Sequence, residues 1–229
     1  TCIEQAAGIE ISERAQYIRT IMDELQRIDS HLLFYSCLVL DMGGFTPFFY
    51  GFREREMVLD IFEETTGGRL IQNYNMIGGV QADLHPDFQK KVKEFIKHMR
   101  GIIHEYHEIF TGNVIATTRL KGVGVLSRED AISYATTGGT GRASGWSNDV
   151  RKHHPYAMYD KVDFKEIVYT EGDSFARYMV RMDEIMESMH IIEQLIDNIP
   201  EGEYRVKTKP IIRIPEGNYS ASVESSRGE

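Results

Sequence analysis

Among the side chains that could move protons, Asp41 has the most unusual setting. Leu33, Cys37 and Asp41 recur every four residues and so share one face of a helix, in a stretch that is otherwise largely apolar from Leu32 to Leu40. A carboxylate at the carboxyl end of a helix meets the negative pole of the helix dipole, at a cost of about 0.3–1 kcal/mol. If buried, it needs a cation or a hydrogen-bond donor. Spacing alone leaves two readings open: a proton-handling group in a site, or a charge that pairs with a nearby Arg or is exposed where the helix ends.

Other chemistries find weaker support. Gly138-Gly-Thr-Gly-Arg-Ala-Ser-Gly145 is rich in glycine, but it does not fit G-x-G-x-x-G, lacks the flanking strand and helix, and there is no phosphate-loop motif elsewhere. A loop that needs tight turns is the better reading, and direct NAD binding is not expected. His104 and His107 lie one turn apart with His98 nearby, yet nothing adjacent completes a metal site; a solvated helix face is the better reading. His153-His154 precedes Pro155 and reads as a surface turn. Cys2 and Cys37 cannot hold an iron–sulfur cluster, which normally takes four thiolates, and nickel–iron chemistry needs cysteine pairs. The expectation is that this chain binds no metal or cofactor of its own.

The elements that must position these residues are mainly helical. Ser12 is a good N-cap for a helix from Glu13 to about Leu40, with Ile18, Ile21, Met22, Leu25, Ile28, Leu32, Leu33 and Val39 at helical spacing. Asp41-Met-Gly-Gly ends it. Pro47 suits the first turn of a second helix, which runs to about Glu64 before Gly67-Gly68. A third starts near Pro86, with Phe88, Val92, Phe95, Met99, Ile102, Tyr106 and Ile109 on one face. A fourth follows Asp173, and its methionine stripe reads as core filler. Such amphipathic helices pack as a bundle. Ser127 caps a short helix to Tyr134, and Thr136 to Tyr159 reads as ordered irregular chain of the kind that serves a site or interface. The expected organisation is a helical bundle over 1–199, with an irregular interface region at 112–159, then a short β-rich segment over 200–229 built on Val206-Lys-Thr-Lys and Ile211-Ile-Arg-Ile. Residue 1 is Thr, after which Cys2 to Gly8 reads as a helix tail, and the chain stops in a strand-like stretch, so it is expected to be the central part of a longer polypeptide.

Composition excludes several classes. A formal charge of −9 argues against nucleic acid and against a polybasic membrane anchor. Asp41, Gly43 and Gly44 interrupt the most apolar stretch, which falls short of the roughly 20 residues of a membrane span. The first residues lack a basic stretch followed by an apolar run, so they are not expected to be a signal peptide. Two distant cysteines give no disulfide scaffold and fit the cytosol.

Several stretches, in order, resemble one family. Arg14-Ala-Gln-Tyr-Ile-Arg19 and Glu24-Leu-Gln-Arg-Ile-Asp-Ser-His-Leu32 match R-A-x-x-I-R…E-L-x-R-I-x-S-H-L. Leu40-Asp-Met-Gly-Gly-Phe-Thr-Pro-Phe-Phe49 with Phe52-Arg-Glu-Arg-Glu56 matches L-D-x-G-A-x-T-P-F-x…F-R-E-R-E. Gly122–Ser127, Arg142-Ala-Ser-Gly145, Asp149-Val-Arg-Lys152, Pro155-Tyr156, Arg181–Gln194 and Glu224-Ser-Ser-Arg-Gly-Glu229 continue it. The sequence resembles the hydrogenase-like, quinone-reducing subunit of respiratory complex I, the bacterial NADH:quinone oxidoreductase.

That resemblance implies a bundle of the nickel–iron hydrogenase large-subunit type with small β elements near its C-terminal end, its metal-ligating cysteines lost. It implies a quinone cavity between this subunit and an iron–sulfur partner, whose terminal cluster supplies the electrons. The resemblance gives Asp41 the role of hydrogen-bonding a quinone-site His and raising its pKa; that His and a Tyr donating to the second carbonyl lie before residue 1. It places Leu33, Cys37 and Phe49 on the cavity wall. Near the partner's cluster the family commonly has an Arg and a His, where this sequence has Met76 and Gln81, so that His is not available for coupled protonation. The implied partners are the iron–sulfur subunit, an adjacent peripheral-arm subunit and a membrane arm, on the cytoplasmic side of a bacterial inner membrane. NADH and, as in some relatives, ferredoxin are both compatible electron donors. Residues 1–229 alone are expected to be inactive. The competing expectation is a non-catalytic scaffold subunit, which would have no need of a buried carboxylate at residue 41. An active hydrogenase would require two cysteine pairs.

Overall fold

A computed structural model describes residues 1–229. Helix α1 (Cys2–Ala7) ends at Gly8, whose φ of 63° is the left-handed conformation that glycine adopts freely. Ser12 then accepts a hydrogen bond from the Ala15 N–H at 3.3 Å and starts α2 (Glu13–Asp41). Of the apolar positions expected on this helix, Ile18, Ile21, Met22, Leu25, Ile28, Leu32 and Val39 are buried, whereas Leu33 is half-buried. Gly43 and Gly44 turn the chain into α3 (Phe45–Thr66), with Pro47 in its first turn and Gly67, at φ 79°, closing it. The two helices approach closely at Gly51, where a Cβ would fall 2.0 Å from Ser36 Oγ and 3.0 Å from the Leu32 carbonyl.

A two-stranded antiparallel hairpin, β1 (Asn75–Met76) and β2 (Gly79–Val80), precedes α4 (Phe88–Tyr106). A π-helical turn over His107–Thr111 follows. On the buried side of this helix, Ile103 and Phe110 are buried while Ile102 and Ile109 are only half-buried, so two positions of the expected face are displaced by one residue. Three short helices come next: α5 (Val114–Leu120), α6 (Arg128–Ser133), capped by Ser127 as expected, and α7 (Gly138–Ala143). With α8 (Val150–His153), α7 corrects the reading of Thr136–Tyr159 as irregular and of the glycine-rich segment as a loop. Only the rims of that segment are turns, with Gly138 and Gly145 at positive φ.

Helix α9 (Ser174–Ile196) is capped by Asp173, which accepts from the Ala176 N–H at 2.7 Å. Its Met182 and Met189 are buried in the core that α2, α3, α4 and α9 share, with Met179 and Met186 packed against its edge. The helices thus form the expected mainly α bundle. The C-terminal strands do not form: residues 200–229 contain no strand, only isolated bridges from Gly79 to Arg205 and from Ser225 to Gly228. Val206 and Tyr204 do bond to the hairpin at Gly78 and Val80, but beyond them Lys207, Lys209 and Arg213 supply the alternation without a neighbouring strand to pair with. No helix is long and apolar enough to cross a membrane.

Candidate functional site

Two polar regions organise around α2. The first is its C-terminal shoulder. Asp41 is the last residue of the helix and is exposed, with no hydrogen bond or ion pair to its side chain. Cys37, one turn earlier, is exposed and free, and Leu33 is half-buried. Across the Gly43-Gly44 turn, Phe49 is 53% exposed and packs edge-on to Phe45 and Phe48, at centroid distances of 5.2 Å each. The structure therefore sets Leu33, Cys37 and Asp41 along α2, beside an uncovered aromatic cluster at the start of α3. Within this chain Asp41 is not a buried carboxylate, so burial does not itself separate a catalytic from a scaffold role.

Met76 and Gln81 lie in and just after the hairpin. Met76 is half-buried, and its carbonyl accepts from Arg19 at 2.7 Å. Gln81 has an exposed side chain, and its N–H bonds the Tyr74 carbonyl at 2.9 Å. Arg19 also pairs with Glu4 at 2.8 Å and donates to the Gly79 carbonyl at 2.7 Å, tying α1 and the hairpin to α2. Although burial opposes charge on Glu4, Arg19, the Gly78 N–H and the amino terminus outweigh it and hold the carboxyl down at about 2.

The second region is a buried network that spacing alone did not reveal. Glu24, Arg27 and His31 recur on one face of α2. From the far side come Arg142 of α7, Asp149 and Arg151 at α8, Glu184 of α9, and Glu224 near the end of the chain. Arg142 donates to Glu184 at 2.6 and 3.0 Å and to Glu224 at 2.8 Å. Arg151 reaches Glu24 at 2.9 Å and Asp149 at 2.7 Å. Arg27 is 3.3 Å from Glu24 and donates to the Glu224 and Ser225 carbonyls at 2.8 Å each. Tyr159 and Ser188 each donate to Glu24 at 2.6 Å, and His31 bonds Glu184 at 2.7 Å.

The eight acidic and basic members, Glu24, Arg27, His31, Arg142, Asp149, Arg151, Glu184 and Glu224, are all buried. Burial raises the cost of charging Glu24, but Arg151 and Arg27, with Ser188 and Tyr159, overcome it and hold its carboxyl at about 2. Glu184 is likewise held well below the carboxylate range, mainly by Arg142 against its burial. Burial pushes the His31 imidazole down despite Glu184. We therefore read Glu184 as ionised by Arg142 and His31 as neutral, donating from Nε2. Each of the eight lies in a segment that carries the family resemblance. A sequence signal did exist, in the common face of residues 24, 27 and 31 on α2 and the recurrence of paired Arg and Glu in those segments.

Of the three histidines in and just after α4, His104 is exposed as on a solvated helix face, whereas His98 and His107 have specific partners. His98 bonds the fully buried Glu54 at 3.0 Å, beside the Tyr106 hydroxyl at 2.9 Å and Arg53 at 2.7 Å. His107 bonds Thr111 at 2.8 Å, within the π-helical turn. No group of three or more His, Cys, Asp or Glu side chains is arranged to hold a metal.

Residues 41–229 match the family described as respiratory-chain NADH dehydrogenase, 49 Kd subunit. The NADH-quinone oxidoreductase C/D subunit of Phocaeicola vulgatus is 78% identical over 228 residues, covering 100% of this chain and 44% of that protein. The NADH-quinone oxidoreductase D subunit of Desulfotalea psychrophila is 45% identical over 227 residues, covering 99% of this chain and 61% of that protein. The chain thus spans less than half the length of the first relative and about three-fifths of the second. Among solved structures, a chain of the membrane-bound sulfane sulfur reductase, an archaeal respiratory membrane complex, superposes with a TM-score of 0.94 at 33% identity, over 99% of this chain and 62% of that one.

Proposed function

Because the chain belongs to the 49 kDa subunit family of respiratory-chain NADH dehydrogenase, we propose that it forms part of the quinone-reducing subunit of a proton-pumping NADH:quinone oxidoreductase. The observation that carries this reading is the α2–α3 shoulder. Buried carboxylates elsewhere are met by donors, as at Glu24, Glu54, Asp149 and Glu184, whereas Asp41 is open beside an uncovered aromatic cluster. A flat, largely apolar substrate with polar carbonyls suits such a wall.

In this reading Leu33, Cys37 and Phe49 line the quinone cavity and Asp41 faces a His supplied from outside residues 1–229. Quinone reduction takes up two electrons and two protons to give quinol. The electrons come from an iron–sulfur cluster held by a partner, since this chain has only Cys2 and Cys37 as thiolate ligands. The Asp41 carboxylate favours the protonated form of that His and orients its N–H toward a quinone carbonyl, so the proton is placed before the electrons arrive. Met76 and Gln81, on the hairpin toward the cluster, carry no titrating group and contribute no proton. The buried network fixes α2 against α7, α8 and α9 and so holds the shoulder in place. In this reading the chain attaches to the membrane peripherally through partner subunits, on the cytoplasmic side of a bacterial inner membrane.

The test uses the thiol already on the wall. In the assembled complex, with Cys2 changed to Ser, Cys37 should react with a small maleimide slowly, and more slowly still when the quinone site is saturated with a short-chain quinone. Equal rates with and without quinone would contradict the placement.

A further inference from the structure

Between Glu203 and Glu216 the chain has four basic residues, Arg205, Lys207, Lys209 and Arg213, and no acidic one. The net charge of −9 conceals this, because the acids lie elsewhere. The fold sets the four in a row. Residues 204, 206, 208 and 212 are half-buried, while 205, 207, 209, 211 and 213 are exposed. That is the alternation of an extended segment whose odd positions share one side. The inward positions hold it down. The Val206 N–H donates to the Gly78 carbonyl at 2.9 Å, and a Cβ on Gly78 would be 3.0 Å from a methyl of Val206 and one of Thr208. The outward row therefore reads Arg, Lys, Lys, Ile, Arg, over roughly 26 Å at about 3.3 Å per residue.

None of the four cationic side chains forms a hydrogen bond or ion pair within the chain, and Ile211 among them is 73% exposed. Beside the row lies an open cleft of about 720 Å³, lined by Ala7, Ile9 and Ile212 together with Lys207, Lys209 and Arg213, and by no acidic residue. Cations interleaved with aliphatic carbon suit an anionic amphiphile. Two observations favour a lipid surface over an acidic protein. Protein interfaces deplete lysine and concentrate aromatic rings at their centre, whereas this row has two lysines, an isoleucine and no aromatic ring. A protein carboxylate is recognised through fixed donor geometry, yet residues 207–223 make no backbone–backbone hydrogen bond, so little fixes these donors. Lipid headgroups move laterally to meet such charges, and four clustered Lys and Arg beside apolar side chains are a composition that binds anionic leaflets.

We propose that the row from Arg205 to Arg213 binds the headgroups of anionic phospholipid, with Ile211 set at the boundary between headgroups and acyl chains. This goes beyond the reading above, in which partner subunits alone attach the chain to the membrane.

The test is flotation of the chain with phosphatidylcholine vesicles, without and with phosphatidylglycerol at about a third of the lipid. Binding should require phosphatidylglycerol and weaken as salt screens the charges. Changing Arg205, Lys207, Lys209 and Arg213 together to Gln should lower the partition constant roughly several hundredfold, at about fivefold for each cation. Ile211→Asp should weaken binding with all four cations in place, while Lys90→Gln/Lys97→Gln, at exposed lysines of α4, should not. Inorganic phosphate should release the chain no better than chloride at equal ionic strength. Equal binding to both kinds of vesicle, binding to neither, or an unchanged constant in the quadruple variant would overturn the proposal. Selective release by phosphate would overturn it too, by marking a site for the free anion. Loss of a subunit from the assembled complex in the quadruple variant, without vesicle binding by the wild type, would assign the row to an acidic protein instead. Vesicle binding does not depend on quinone reduction, so its failure and that of the Cys37 labelling are distinct results.

Discussion

Replacing Arg142 with Met should unfold much of what holds the bundle together, because Arg142 bonds two buried carboxylates at once. Its loss removes the bonds to Glu184 at 2.6 and 3.0 Å and to Glu224 at 2.8 Å. Glu184 then keeps only the neutral His31, and Glu224 keeps the Val150 N–H at 3.3 Å. Removing one partner of a buried pair costs about 3–5 kcal/mol, because the remaining charge is left in a poor solvent. A domain of this size has roughly 5–15 kcal/mol in all. With a urea m-value of about 2 kcal/mol per molar, the midpoint falls by about 1.5–2.5 M. Trp146, the single tryptophan, follows α7 directly and reports the transition by fluorescence. Adding Glu184→Gln removes one orphaned charge, so the double variant should be more stable than the sum of the two single losses by about 1–3 kcal/mol. The Arg142→Met deficit should also shrink as pH falls toward 4, where an orphaned carboxyl can take up a proton. A single-variant cost under about 1 kcal/mol, or strict additivity in the double variant, would refute the argument that these charges depend on one another.

Two further outcomes follow from the same structure. Gly51→Ala places a methyl 2.0 Å from Ser36 Oγ and 3.0 Å from the Leu32 carbonyl, so α2 and α3 must separate, and the loss should be about 1–3 kcal/mol by urea unfolding; Gly101→Ala, with open space around it, should be neutral or stabilising. Asp23 is pushed up to about 7 by burial and by the neighbouring Glu24. The folded state therefore holds a proton that the unfolded state releases near 3.8, and this contribution to stability is lost as pH rises from about 4 through 7. Asp23→Asn should accordingly raise the urea midpoint at pH 8 and leave it unchanged at pH 3.5; a stabilisation that is the same at both would show that titration plays no part.

Much of the bundle was legible because local signals agreed with one another. Ser12, Ser127 and the Gly67 stop, read with the apolar period, placed helix ends within a residue or two. The π-helical turn at His107 was not, since one inserted residue alters the phase without any change of residue type. The C-terminal strands were misread for the opposite reason: Lys207, Lys209 and Arg213 produce a period of two in a segment that has no sheet to join. The glycine-rich segment folds as α7 because Gly139 and Gly141 let it pack closely, the latter 2.1 Å from the Thr136 carbonyl at the Cβ position. The shoulder residues were found through the four-residue spacing and the resemblance together. The buried network was not, because its partners lie up to about 200 residues apart, as Arg27 and Glu224 do, and only the folded chain brings those segments to one place.

The central claim is that Asp41 favours the protonated form of a quinone-site His. The most direct measurement is quinone reduction by membranes carrying Asp41→Asn, taken as a pH series and normalised to assembled complex. The amide keeps the shape but not the charge. Each pKa unit lost by the His is worth about 1.4 kcal/mol between its protonation states, or a factor of about ten. Assembly should be normal, with a rate defect that is largest above neutral pH and is partly relieved in acid. Asp29 is not the neutral control that its place on another face of α2 would imply, because it is buried and 3.1 Å from Arg55; the exposed Glu13 serves instead, and Glu13→Gln should leave the profile unchanged. Wild-type turnover by Asp41→Asn across the whole series would contradict the claim and reduce Asp41 to a helix terminus.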